Sequence, residues 1–457
     1  MEKTVAAIST AIGEAGIGIV RMTGPKSFEI AKKVFRNFNY QEISEVKNRY
    51  LQYGFIVDKE TTIDEVLISF MKEPRTYTRE DMVEIYCHGG TIAVKKILNL
   101  LLDTGAYLAE RGEFTKRAFL NGRLDLSQAE AVIDLIDAKT DKSYEASLNQ
   151  LKGGLKNTVK EIKDNLLDML ARVEFSINFM EDLQDELPIA PLLEKGEVIL
   201  KKLDELINSS NKGRILKDGI KTVIIGKPNV GKSSLLNALL KENRAIVTDV
   251  PGTTRDTIEE YIDLGGVSIK IIDTAGIRDT DDLVESIGVT KSIELAKDAN
   301  LIIAIFDVSN PFDEQDMQIM ELIKSKKSII LLNKHDLSLL ADKNIIYDSF
   351  KEYNIIDMSV KENKGIKELE QVILDMFFDG EIVVNNDTII TSLRHKNLLE
   401  NARSNISSSL EDIKKGYPMD AIEIDLRNAY TLLGEITGET IDDDILDKIF
   451  SDFCIGK

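Results

Sequence analysis

Two cysteines in 457 residues, Cys87 and Cys454, are too few for a disulfide framework, and they form no CxxC pair. A protein kept in a reducing cytosol is the expectation. Only three histidines occur, His88, His335 and His395, at no metal-ligand spacing, which argues against a zinc site. No apolar run reaches the roughly 18 residues of a membrane span. Residues 301–306 (LIIAIF) read as a buried strand instead. The N-terminus carries Glu2 and Glu14 and no clear cleavage site, so no signal peptide is expected. Positive charge is also in deficit: 58 Lys and Arg face 78 Asp and Glu, a net charge of −20. Such a chain does not coat nucleic acid or an anionic membrane with its whole surface, although a local basic site stays open. No internal repeat or low-complexity tract is visible.

What remains is globular material. Apolar residues make up 43% and charged residues 30%, enough for several cores, and the length suggests about three domains. Residues 1–118 look mixed α and β. Strand patterns fall at 18–22, 63–71 and 82–87, a helical pattern at 91–102, and glycines punctuate the loops. From 119 to 215 the period becomes helical. Leu148, Leu151, Leu155, Val159, Ile162, Leu166, Leu170 and Val173 step by three or four along one long helix, with Gly153 and Gly154 as a kink. Pro188 and Pro191 break that pattern. Such a stripe reads as a bundle core. Residues 216–379 alternate strand and helix, with strands at 222–225, 269–272, 301–306 and 328–332, the pattern of a doubly wound α/β domain. Residues 380–457 return to helical spacing through Leu398, Ala402, Ile406, Leu410 and Ile413. The simplest architecture inserts the α/β domain into one helical domain built from both flanks. Residues 411–452 hold twelve acids against four bases, read as a solvated acidic face.

Chemistry is concentrated in the third segment. Gly226-Lys-Pro-Asn-Val-Gly231-Lys232-Ser233 fits GxxxxGK(S/T), follows a strand and opens an amphipathic helical stretch at 234–240. Glycines let backbone N–H groups turn inward around phosphate oxygens, and a helix N-terminus adds its dipole. Lys232 supplies charge to the β- and γ-phosphates and Ser233 a hydroxyl to Mg²⁺, with Val230 and Ser234 flanking them. Asp273-Thr274-Ala275-Gly276 ends a second strand, where the acid can hold Mg²⁺ and Gly276 can approach the γ-phosphate. Asn333-Lys334-His335-Asp336 ends another; its carboxylate can accept from guanine N1–H and the 2-amino group, which adenine does not offer. Ser359 stands where it closes the base pocket, and Thr254 where it closes on Mg²⁺. Order, spacing and strand-end placement together point to GTP.

The residue after this DTAG motif is Ile277, which cannot orient a water as the Ras-type glutamine does. Nor is an arginine finger obvious in cis. Asp279, Asp281, Asp282 and Glu285 are candidates for positioning the water, and Asn229 offers an oxygen to a monovalent cation.

Taken together, these residues resemble the MnmE (TrmE) family of tRNA-modification GTPases, and the likeness covers the whole chain. Its most specific signs lie outside the GTPase module: Gly16-Ile-Gly-Ile-Val-Arg21, His88-Gly-Gly90, Gly112-Glu-Phe-Thr-Lys-Arg117, Phe119-Leu-Asn-Gly-Arg-Leu-Asp125 and the terminal Phe453-Cys-Ile-Gly-Lys457. The resemblance implies an N-terminal α+β domain that binds folate and dimerises, and a helical domain with an inserted Ras-like P-loop GTPase domain. It implies a homodimer acting with a flavoprotein, MnmG (GidA). Their product is a carboxymethylaminomethyl-type group on C5 of the wobble uridine (U34) of certain tRNAs. The one-carbon carrier would be 5-formyltetrahydrofolate or methylenetetrahydrofolate. By position, Arg21, Glu84, Arg123 and Lys457 fall on folate-contacting positions, and Cys454 on the tail cysteine, a possible reactive thiol. Arg123 stands where some members have lysine, keeping the charge but not the shape. Potassium would be held by Asn229, Thr248, Val250 and Thr253, and Glu285 would position the water. Most tRNA affinity is expected to come from the partner, because the best basic cluster here, Lys152, Lys156, Lys160 and Lys163, reads as a solvated face. The competing reading is a GTP-switched RNA or ribosome assembly factor, which would want a basic domain beside the GTPase.

Overall fold

A computed structural model of the chain describes residues 3–179, 189–243, 260–272, 297–324, 326–378 and 388–457. Among them no helix is long and apolar enough to cross a membrane.

The N-terminal region folds as β1 (Val5–Ile8), β2 (Gly18–Thr23), α1 (Ser27–Val34), β3 (Phe35–Asn37), β4 (Leu51–Asp58), β5 (Thr61–Met71), β6 (Met82–Cys87), α2 (Thr91–Asp103) and β7 (Tyr107–Leu108). The strands form one sheet in the order β3-β4-β5-β6-β2-β1-β7. Period-two alternation sends Val20, Met22, Ile68, Val83 and Ile85 to one face, where they pack with Ile30 and Val34 of α1 and Ile97 and Leu101 of α2. On β2, β6 and β5 the intervening residues face the other way. Arg21 sits directly across from Glu84, and Leu67 across from Tyr86.

Five helices follow: α3 (Glu113–Leu120), α4 (Leu126–Asp137), α5 (Asp141–Leu151), α6 (Gly154–Phe179) and α7 (Ile189–Asp218). Asp125 starts α4 with a capping box to Gln128. Here the sequence expectation of one long helix is corrected. Gly153 adopts φ +96° and ends α5, so α6 begins afresh at Gly154. The buried stripe therefore runs from Leu155 to Val173, while Leu148 and Leu151 lie outside it and are only half-buried. Pro191 does not break a helix either. It sits in the first turn of α7, where its missing N–H would have had no helical partner. Pro188 lies outside the described residues.

The inserted domain runs β8 (Ile220–Ile225), α8 (Lys232–Asn243), β9 (Glu260–Leu264), β10 (Val267–Ile271), β11 (Leu301–Asp307), α9 (Glu314–Ile323), β12 (Ser328–Asn333), α10 (Asn344–Ser349), β13 (Asn354–Asp357) and α11 (Ile366–Phe378). Its sheet has the order β13-β12-β11-β8-β10-β9, parallel except for the β9–β10 pair. Every residue of β11 and β12 is buried, as central strands covered on both faces must be. Because β8 lies between β10 and β11, its carboxyl end opens at the point where strand order reverses, the position where such sheets bind ligands.

The chain returns in α12 (Leu393–Lys415), α13 (Met419–Thr437) and α14 (Asp443–Ser451). Helices α6, α7, α12 and α13 share one core. On α12, Leu399 is the buried residue and Leu398 only half-buried, a one-position shift from the expected stripe. The end of α7, where the chain leaves for the inserted domain, touches the segment by which it returns. Ile390 N donates to Ser209 Oγ at 3.1 Å, and a Cβ on Gly213 would lie 2.2 Å from Ile390 O. Lys163 corrects the reading of a solvated basic face: it is 6% exposed, paired with Glu439 and stacked over the Tyr430 ring. Glu439 is correspondingly part of the bundle's fastening as well as of the acidic run.

Candidate functional site

The strand β8 delivers Gly226 to the mouth of the inserted sheet, and α8 begins at Lys232. Between them the backbone turns through two left-handed residues, Asn229 (φ +62°) and Gly231 (φ +111°). Glycine is required at both motif positions. A Cβ on Gly226 would lie 2.6 Å from Ile305 O, and one on Gly231 would lie 2.3 Å from Asn333 Nδ2. Lys232 folds back over its own loop and donates to Gly226 O at 2.7 Å and Lys227 O at 2.6 Å. Burial pushes its ammonium down to about 8. An arriving phosphate would favour its charged form.

The second half of the site comes from the ends of β12 and β13. Asn333 is buried and staples two segments: its Nδ2 donates to Val230 O at 2.7 Å, and its Oδ1 accepts from Val360 N at 3.2 Å. Lys334 (φ +65°) pairs with Asp307 at 2.7 Å. Ser359 Oγ donates to Asp336 Oδ1 at 2.8 Å, and this hydrogen bond is the main reason the Asp336 carboxyl lies below its ordinary value. Asp336, Ser359, His335 and Lys364 line a small pocket of about 100 Å³. The Gly226–Ser233 loop and the segments that form this pocket are thus joined through Asn333.

Several sequence-derived residues lie outside the described residues: Thr248, Val250, Thr253, Thr254, Asp273, Thr274, Ala275, Gly276 and Glu285, with Asp279, Asp281 and Asp282. Asn229 and Ser234 are exposed on the loop and the first turn of α8.

The four candidate folate residues converge some distance along the chain from this mouth. On the face of the N-terminal sheet opposite α1 and α2, Arg21 pairs with Glu84 through Nη2 at 2.8 Å and Nε at 2.9 Å. Tyr86, two residues along β6, donates its hydroxyl to the other Glu84 oxygen at 2.7 Å. Burial, then the hydrogen bond to Glu84, pushes the Tyr86 phenol up to about 12, so it stays a donor. The C-terminal tail reaches the same place. Phe453 is buried against Phe450 and Leu126; Gly456, at φ +89°, accepts from Ser9 Oγ at 3.1 Å and from Arg21 Nη1 at 3.5 Å. Phe114 N donates to Lys457 O at 3.1 Å. Burial and then the nearby Arg21 charge lower the Lys457 ammonium. Arg123 joins through Tyr77: its guanidinium lies 4.5 Å from the ring centroid and donates to Tyr77 O at 3.2 Å, while Arg21 lies 5.7 Å from the same ring. Cys454 is exposed beside this tail.

Sequence reasoning missed Tyr77, Phe114 and Tyr86. Tyr86 was findable, because a strand period of two puts it on the face of Glu84. Tyr77 sits in a loop with no period to betray it. A separate cleft of about 670 Å³ between β7, α3 and α14 holds none of the candidate site residues, although Glu113, Lys116, Arg117, Leu120 and Asn121 of the family-specific motifs line it. Its charged walls pair internally, Arg117 with Glu80 at 3.1 Å and Glu113 at 2.6 Å, and Lys116 with Asp447.

Comparison with known proteins agrees with this layout. Residues 4–123 match the family model described as the GTP-binding protein TrmE N-terminus, and residues 126–454 match the MnmE helical domain. The tRNA modification GTPase MnmE of Finegoldia magna is 59% identical over 457 residues, covering all of both chains. Those of Alkaliphilus metalliredigens and Clostridioides difficile are 50% and 48% identical, again over all of both chains. Among solved structures, Aquifex aeolicus Era bound to GDP.AlF4- is 27% identical, covering 41% of this chain and 66% of that one, with a TM-score of 0.27. With both family models matched and full-length identity at this level, the chain belongs to the MnmE family of tRNA modification GTPases.

Proposed function

We propose that this chain is the GTP-hydrolysing subunit of a system that installs a carboxymethylaminomethyl-type group on C5 of the tRNA wobble uridine. It works as a homodimer with the flavoprotein MnmG, in the cytoplasm. The observation that carries the reading is the 59% identity to a tRNA modification GTPase MnmE over all of both chains. A tetrahydrofolate carrying one carbon is the ligand assigned to the Arg21, Glu84, Arg123 and Lys457 cluster. The carboxylate and three cations there suit a molecule with a hydrogen-bonding pterin and an acidic tail. The net charge of −20 favours leaving most tRNA affinity to the partner.

The Gly226–Ser233 cradle suits a Mg²⁺-nucleotide: Gly226 and Gly231 stand where a Cβ would collide with Ile305 O and Asn333 Nδ2, and the half-buried Lys232 ammonium hydrogen-bonds two backbone carbonyls of the loop. Ser233, Thr254 and Asp273 are the residues assigned to Mg²⁺, and Asn229, Thr248, Val250 and Thr253 those assigned to potassium. A monovalent cation beside the phosphates supplies positive charge where an arginine finger would stand. Glu285 is assigned to hold and orient the attacking water, since Ile277 cannot.

Steady-state hydrolysis and nucleotide binding test the assignment. Glu285→Ala is expected to keep GTP affinity and lose hydrolysis, and the wild-type chain to hydrolyse faster in K⁺ than in Na⁺ at equal ionic strength. Equal loss of binding and hydrolysis would make Glu285 a folding residue; equal rates in the two salts would remove the cation from the mechanism.

A further inference from the structure

Lys227, the second residue of the phosphate loop, has no part in the nucleotide chemistry above. Its ammonium leaves the loop and lies 2.8 Å from Asp313 Oδ2 and 2.6 Å from Asp316 Oδ2. The lysine side chain is 17% exposed and that of Asp316 is 2% exposed. Both acids are immobilised by the first turn of α9. Asp313 Oδ1 accepts from Gln315 N and Asp316 N at 3.0 and 3.2 Å, and Asp316 Oδ2 accepts from Asp313 N at 3.0 Å. That reciprocal capping box fixes where the carboxylates stand. The two acids, outweighing the effect of burial, hold Lys227 above its ordinary value and keep it charged.

The backbone of the same residue belongs to the cradle. Lys227 O accepts from Lys232 Nζ at 2.6 Å, next to Gly226 O, and Gly226 itself is pressed against Ile305 of β11. The far shoulder of the loop is held independently, by Asn333 Nδ2 on Val230 O at 2.7 Å. The loop is therefore fastened at two shoulders, with exposed Asn229 between them.

We propose that Lys227 is a positioning residue for the phosphate cradle. Its ion pairs to the α9 capping box hold the first shoulder of the loop, so that a nucleoside di- or triphosphate meets a preformed ring of N–H groups. A loop fixed before binding loses less conformational entropy when the phosphates arrive. The ammonium is already neutralised by two carboxylates and is not itself a phosphate ligand.

The test uses the full chain, with GDP titration, steady-state GTP hydrolysis and thermal melting without nucleotide. Lys227→Met weakens GDP binding and raises KM by roughly tenfold or more, the scale of losing a supporting partner, with a smaller effect on kcat. Lys227→Arg keeps GDP affinity near wild type. Because Lys227→Met strands a buried carboxylate, the double variant Lys227→Met with Asp316→Asn decides the matter: the asparagine oxygen can still accept from Asp313 N–H. The proposal expects the double variant to regain the melting temperature but not GDP affinity. Recovery of both would overturn it, making Lys227 a mere neutraliser of Asp316, as would a folded Lys227→Met that binds GDP like the wild type.

Discussion

At the scale of single residues, two side chains make the proposed nucleotide site testable. Asp336 is oriented by Ser359 at 2.8 Å and opens toward the small pocket at the end of β12. Asp336→Asn turns a pure acceptor into a group that also donates, so GTP affinity should fall roughly tenfold to a hundredfold and xanthosine triphosphate should gain. Competition binding checks this; an unchanged preference for guanine would mean the base binds elsewhere. Lys232 gives a pH signature. In the free protein burial holds it at about 8, whereas a bound phosphate favours the charged form. Binding therefore takes up a proton above that value, and GDP affinity should decline as pH rises through and beyond about 8. Calorimetry at pH 8.5 in buffers of different ionisation enthalpy reads the proton directly, and a buffer-independent heat would contradict it. The motif residues were legible in the sequence because their spacing is dictated by the geometry of one strand–loop–helix turn. The ties of Lys227 were not: Asp313 is 86 positions away, and nothing local marks it as a partner.

At the scale of elements, the C-terminal tail acts as a strap between regions distant in sequence. Phe453 anchors it in the core of α4 and α14, Ile455 bridges Arg111, and Gly456 lies on the end of β1. Gly456 tolerates neither a side chain nor a right-handed backbone: φ is +89° and a Cβ would sit 2.3 Å from Ile8 O. Gly456→Ala should destabilise the docked tail by about 1–3 kcal/mol. Faster proteolysis of the C-terminus and weaker tetrahydrofolate binding would report it; unchanged protease resistance would show that the tail is held without this contact. Long periodic elements were legible, as α6, α12 and the strands β8, β10, β11 and β12 of the inserted sheet testify, whereas β9 and β13 were not expected. The two-residue β7 and three-residue β3 were not, since no period can show in so few residues. The α5–α6 break was underestimated as a kink, because the sequence does not reveal that Gly153 takes a left-handed φ.

At the scale of the whole molecule, the inserted GTPase domain leaves and re-enters the helical bundle through adjacent segments, which Lys217 and Asp134 brace at 2.8 Å. The tail in turn ties the end of the bundle to the N-terminal sheet. A nucleotide-dependent movement of the inserted domain would thus act on a bundle whose terminus reaches the Arg21–Glu84 cluster. The proposed task of this chain is tRNA wobble-uridine modification, and nucleoside analysis of tRNA from cells lacking the chain is its most direct test. Loss of the C5 carboxymethylaminomethyl-type uridine is expected, restored by the wild-type chain and not by Glu285→Ala; undiminished modified uridine in the deleted strain would contradict the proposed function.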